Sequence, residues 1–168
     1  WSALDEVYPQ SKQQRCWVHK TANVLNCVPK SVQPKVKDAL HQIWQAETQS
    51  DAHQAFDRFD QLFSAKYPKA VQCLQKDKDE LLAFYEFPAM HWQSLRTTNP
   101  IESSFSTIRH RTKRAKGCLS RDGMLQMMFK LGQCAEQNWR RLRGFEDLNK
   151  VITGVKFKDG MEIKQNAA

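Results

Sequence analysis

The sequence predicts a predominantly α-helical protein with little β-structure, and three observations lead there. Gly and Pro, the residues that interrupt helices, number only 6 each in 168 residues. Apolar residues recur three and four apart through most of the chain, the helical period. Strand-like letters are confined to two short runs, "QQRCWVH" at 13–19 and "VITGVKFKDGMEI" at 151–163.

In chain order, Trp1, Leu4 and Tyr8 share a helical face that Pro9 stops. Residues 13–19 are the best strand candidate, and beyond them the chain turns helical. Val36, Ala39, Leu40, Ile43 and Trp44 define one amphipathic helix. Ala52, Ala55, Phe56, Phe59, Leu62 and Phe63 define the next, with Ser50 or Asp51 near its cap. Shorter helices are predicted over 68–76 and 79–85, and 86–96, broken by Pro88, reads as a connector. A helix then runs from about Pro100 to Ala115, with Ile101, Phe105 and Ile108 as its core stripe, and Gly117 ends that segment. Ser120 opens a long helix carrying Leu125, Met128, Leu131, Ala135, Trp139 and Leu142, positions that read as ordinary core rather than a cofactor box. The tail suggests a small hairpin about the turn signal Asp159-Gly160.

The length suits about one domain with a real core, and 10% aromatic residues argue against disorder. No run of about 18 apolar residues is present, which argues against a membrane-spanning helix. The chain has no initial Met and no signal-peptide pattern, and Trp1 enters as if in mid-helix, so a piece of a longer chain is expected. Five scattered cysteines suit reduced thiols in a cytosol better than a disulfide framework.

Net charge is +8, and its distribution matters more than its total. From Ser103 to Arg121 there is no acidic residue, while Arg109, Arg111, Lys113, Arg114, Lys116 and Arg121 supply six positive charges. Arg140, Arg141 and Arg143 follow as a second cluster. A nucleic acid is the leading partner for charge this concentrated; a solvated basic helix face is the plainer alternative. Nothing resembles a Gly-rich phosphate loop or a nucleophile–base–acid triad.

"TTNPIESSF" at 97–105 admits two readings. Asn99 as N-cap, Pro100 at the first helical position and Glu102 at the third make a capping box, which explains the helix start with no chemistry. On the helical wheel, however, Glu102, Ser106, Arg109 and Lys113 fall on one stripe, about a quarter turn from the apolar one. A carboxylate can hold a divalent metal, and cations trailing behind it can hold phosphates. "CWVHK" places Cys16 and His19 in C-x-x-H spacing, but a structural zinc needs a second pair that does not follow, and on a strand the two positions would face opposite sides.

Taken in series, "QRCWVHKTANVLNCVP" (14–29), "RTTNPIESSFSTIRHRTKRAKGCLSRDGM" (96–124), "NWRRLRGF" (138–145) and "VITGVKFKDG" (151–160) resemble bacterial insertion-sequence transposases of the mutator type. The resemblance implies a DDE-type transposase, with this chain the C-terminal portion of a ribonuclease-H-like α/β core that a helical insertion interrupts. It divides the chain into a core part over 1–29, the insertion and connector over 30–95, the Glu helix and a long basic helix over 96–145, and a tail over 146–168. It implies that Glu102 is the glutamate of a triad binding two magnesium or manganese ions, that Cys16 and His19 form a family signature with Asn99 in the "NPIES" block, and that the basic residues hold double-stranded DNA. Both aspartates of the triad should lie before Trp1; Asp5 sits in a helical stretch and is no stand-in. The fragment alone is then expected to be inactive and to hold no metal tightly. The full-length enzyme would be a homo-oligomer, cytoplasmic and nucleoid-associated when active. A non-catalytic helical nucleic-acid-binding module is the alternative.

Overall fold

The computed structural model describes residues 6–114 and 120–164. It is 66% helix and 3% strand, as the helical periodicity predicts. The chain divides into two compact units: Trp1–Thr97 with Gly144–Ala168, and Thr98–Arg143.

The first unit is a helical assembly with a continuous core. Its helices are α1 (Trp17–Leu25), α2 (Gln33–Trp44), α3 (Gln49–Phe63), α4 (Pro68–Gln75), α5 (Lys78–Leu82) and α6 (Trp92–Leu95), joined through 3-10 turns at Ala83–Glu86 and Ala89–His91. After Gly144 come a third 3-10 turn (Phe145–Asp147), α9 (Leu148–Ile152), β1 (Phe157–Lys158) and β2 (Met161–Glu162). The apolar faces of α2 and α3 are the predicted ones: Val36, Leu40, Ile43, Ala52 and Phe59 are buried. Leu62, read as part of that face, is exposed. Phe84 and Tyr85 fill the centre, and the Tyr85 hydroxyl donates to the carbonyl of Ala46 at 2.7 Å, so its one polar atom is satisfied.

Two local predictions fail here for identifiable reasons. The run 13–19 is not a strand, because Trp17 starts α1. Trp17, Lys20 and Val24 are buried at spacings of three and four, a helical period rather than a period of two. The segment before α1 sends Arg15 N–H to Glu80 O and Trp17 N–H to Arg96 O, both 2.9 Å, so its donors are used without a partner strand. The cap of α3 is Thr48, not Ser50 or Asp51. Its hydroxyl accepts the Asp51 N–H at 3.1 Å and donates to the Asp51 carboxylate at 2.7 Å.

The tail forms the suggested hairpin, with Phe157 opposite Glu162 and Lys158 opposite Met161. Asp159 and Gly160 both have positive φ, 50° and 80°, the twist a two-residue hairpin turn needs. This turn is built into the helical core. Asp159 Oδ1 accepts the Gln49 N–H at 2.7 Å, and Gly160 exchanges backbone bonds with Tyr85 O and Ala89 N. A Cβ at Gly160 would lie 2.6 Å from that of Ala89, so only glycine lets the tail approach this closely.

The second unit holds α7 (Asn99–Arg114) and α8 (Arg121–Glu136), packed against each other. Ser120 caps α8 as predicted, its hydroxyl accepting the Gly123 N–H at 3.1 Å. The helix ends at Glu136, so Trp139 and Leu142 are not on it. Half-buried positions are Ser104, Ile108 and Thr112 on α7 and Gly123, Met127, Leu131, Gly132 and Ala135 on α8. No described residue of this unit is buried. Ile101, Phe105, Leu125, Met128 and Trp139, expected in a core, are exposed, because two helices alone have no third surface to cover their outer apolar faces.

Candidate functional site

Glu102 lies in the first turn of α7 and is exposed. The helix starts one residue earlier than the capping-box reading requires: Asn99 is already helical, and Thr98 occupies the cap position, its carbonyl accepting the Glu102 N–H at 2.9 Å. The Thr98 hydroxyl donates to Glu102 Oε1. The carboxylate thus meets a side-chain hydroxyl one turn back, close to the positive end of the helix dipole.

Below Glu102 on the same face come Ser106, Arg109 and Lys113, at the spacing read from the sequence. Arg109, Arg111, Lys113 and Arg114 are all exposed, and Arg121 opens α8, also exposed. Glu102 and Arg109 are separated by about 10 Å along the axis at 1.5 Å per residue. The hydroxyls of Ser106 and Thr107 donate to Ser103 O, and that of Thr112 to Ile108 O and Arg109 O, which satisfies them within the helix. Lys116, with Trp1, Leu4, Asp5, Ala115, Gly117 and Cys118, lies outside the described residues. Arg140, Arg141 and Arg143 are exposed beyond the end of α8.

Cys16 is half-buried at the cap of α1, and His19 is exposed in its first turn. With α1 in place of a strand, the objection that the two face opposite sides lapses. Among the described residues, however, no group of three His, Cys, Asp or Glu is placed to hold a metal ion. A hard carboxylate such as Glu102 suits magnesium or manganese. The described residues therefore do not by themselves assemble a metal site.

An ion-pair network escaped the sequence reading. Lys20 is buried on α1, and its Nζ donates to the Asp77 carboxylate and, at 2.8 Å, to Cys73 O. Arg15 Nε adds a second cation 3.4 Å from Asp77 Oδ2. Burial alone would push the Asp77 carboxyl up, but the Lys20 hydrogen bond and charge, then Arg15, hold it below the ordinary value. Lys20 and Asp77 are 57 residues apart, so no local signal could pair them. Arg96 is likewise unannounced. Its guanidinium lies over the rings of Phe84, Trp44 and Trp92 at 5.1, 5.2 and 5.9 Å and donates to Trp44 O, anchoring the chain two residues before Thr98.

No helix among the described residues is long and apolar enough to cross a membrane. Comparison with known proteins places these features in context. The family described as "Transposase, Mutator family" matches residues 1–141. The chain is 54% identical over 161 residues to the transposase for insertion sequence element IST2 of Acidithiobacillus ferrooxidans, covering 96% of this chain and 54% of that protein. It is 47% identical over 165 residues to the transposase for IS6120 of Mycolicibacterium smegmatis, covering 98% of this chain and 51% of that protein. A third relative, the transposase for IS905 of Lactococcus lactis, is 34% identical over 111 residues, 66% of this chain and 28% of that protein. The chain spans about half the length of the first two. It belongs to the mutator family of transposases.

Proposed function

We propose that this chain supplies one carboxylate and part of the DNA-holding surface of a DDE-type transposase, an enzyme that cuts and rejoins DNA by metal-dependent phosphoryl transfer. The observation that carries the reading is the α7 face itself, with Glu102 in its first turn and Arg109 and Lys113 on the same stripe. Glu102 is the ligand, its negative charge kept at the positive end of the helix. Magnesium or manganese, when bound, would supply the charge that stabilises the oxygens of an in-line attack at phosphorus. Arg109, Arg111, Lys113 and Arg114, with Arg121 and Lys116, hold the phosphate backbone as point charges that carry no sequence information. The two partner aspartates, the ribonuclease-H-like architecture and a homo-oligomeric assembly on double-stranded DNA belong to the same proposal.

Single-ligand chemistry has a direct consequence. The 168-residue chain binds duplex DNA in a salt-dependent way and does not cut it with magnesium or manganese present. Reproducible metal-dependent nicking by the purified chain would overturn the division of labour. In an intact transposase carrying this segment, Glu102→Gln abolishes strand transfer and leaves DNA binding largely unchanged. Wild-type transfer by that variant would return Glu102 to a role at the helix start alone.

A further inference from the structure

A carboxylate on an exposed helix is a poor ligand if it wanders, since fixing a long side chain costs rotamer freedom. Thr98 meets Glu102 at two points. The Glu102 N–H bonds to the carbonyl of Thr98 at 2.9 Å, and Glu102 Oε1 accepts from the Thr98 hydroxyl. The first bond fixes the turn; the second fixes the side chain on that turn. The donor's chemistry matters as much as its place. A lysine or arginine there would neutralise the carboxylate, whereas a hydroxyl orients it without adding a positive charge.

We propose that Thr98 is a positioning residue for Glu102, presetting its carboxylate through the Oγ1–Oε1 hydrogen bond so that it meets a divalent cation already oriented. The inference rests on the reading of Glu102 as a metal ligand and adds the group that aims it. Thr98 acts through Glu102 and touches neither metal nor DNA. Groups that orient a metal-binding carboxylate in this way alter affinity by roughly 10- to 100-fold when removed.

The plainer role for Thr98 is to start α7, and the two roles separate by readout. Mn2+ binding is measured by titration calorimetry, without DNA, on an intact transposase carrying this segment, alongside helix content by circular dichroism. Thr98→Val is expected to weaken Mn2+ by about tenfold or more, and Thr98→Ser to restore it. Thr98→Gly keeps a residue tolerated at the cap but has no donor, so it is expected to weaken Mn2+ as Val does while keeping its helix. The Mn2+ concentration for half-maximal strand transfer should move in parallel. Thr98→Gly binding Mn2+ like wild type, while Glu102→Gln does not bind it, overturns the role of Thr98 and leaves Glu102 as a ligand. Glu102→Gln binding Mn2+ like wild type removes both.

Discussion

Phe59 and Phe105 are the same side chain on two helices whose sequences look equally amphipathic, yet Phe59 is 1% exposed and Phe105 53%. Phe59 belongs to the unit that α1–α6 and the tail close around a core; Phe105 belongs to the pair α7 and α8. Periodicity tells which face of a helix is apolar, but not whether anything covers it. The candidate site stands on the second unit, so the residues that carry the proposed chemistry lie where folding contributes least burial. In the first unit the side chains of Lys20, Asp77, Arg96 and Asp159 are engaged in internal hydrogen bonds.

The largest test of that contrast is Phe59→Ala in the 168-residue chain. Emptying a filled core position costs about 3–5 kcal/mol, read as a lower urea midpoint. A cost under about 1 kcal/mol, the range for surface positions, would mean that the core is not closed around it.

Lys20→Met comes next, at about 3 kcal/mol, because it leaves the Asp77 carboxylate largely buried with only Arg15 beside it. The pH dependence carries a definite sign. The folded-state pKa of Asp77 is depressed, so its contribution is present above the ordinary value of 3.8 and is lost as pH falls through the depressed one. Wild type should therefore lose stability more steeply than Lys20→Met in urea titrations taken from pH 5 down through that window. Parallel curves would show that the pair contributes nothing specific to the first unit.

How much of this was legible depended on distance along the chain. The faces of α2 and α3, the Ser120 cap and the Asp159-Gly160 turn were all readable, because each is set by residues within a few positions of one another. The start of α1 was misread since "CWV" favours a strand locally, and only packing of Trp17 and Val24 into the core makes the helical period win. Lys20–Asp77 and the seat of the tail on Gln49 and Tyr85 are long-range pairings that no local pattern encodes. At the candidate site, the stripe from Glu102 to Lys113 was legible from helical spacing alone. The Thr98 hydroxyl was not, because the cap pattern pointed to Asn99, one residue too far along.

A smaller effect separates the two units by kind rather than by size. Arg109→Ala with Lys113→Ala should leave the urea midpoint of the chain almost unmoved. It should also flatten the dependence of log affinity for duplex DNA on log salt by about 2, near one for each phosphate no longer neutralised. An unchanged slope with weaker binding would take these two cations off the DNA surface and leave Arg140, Arg141 and Arg143 as the better candidates.

The smallest expected effect bears most directly on the comparison. Phe105→Ser, at a position already half in water, should change the stability of the 168-residue chain by no more than about 0.5 kcal/mol, as at other surface positions. Loss of the ring in Phe59→Ala costs several times that, so the two values together measure how differently the units use one residue type. A Phe105→Ser loss above about 2 kcal/mol, beyond what a surface position gives, would break the contrast. If that loss grew with protein concentration, a second copy of the chain would be covering the face. If it did not, α7 and α8 would bury more of each other than their exposed apolar residues imply.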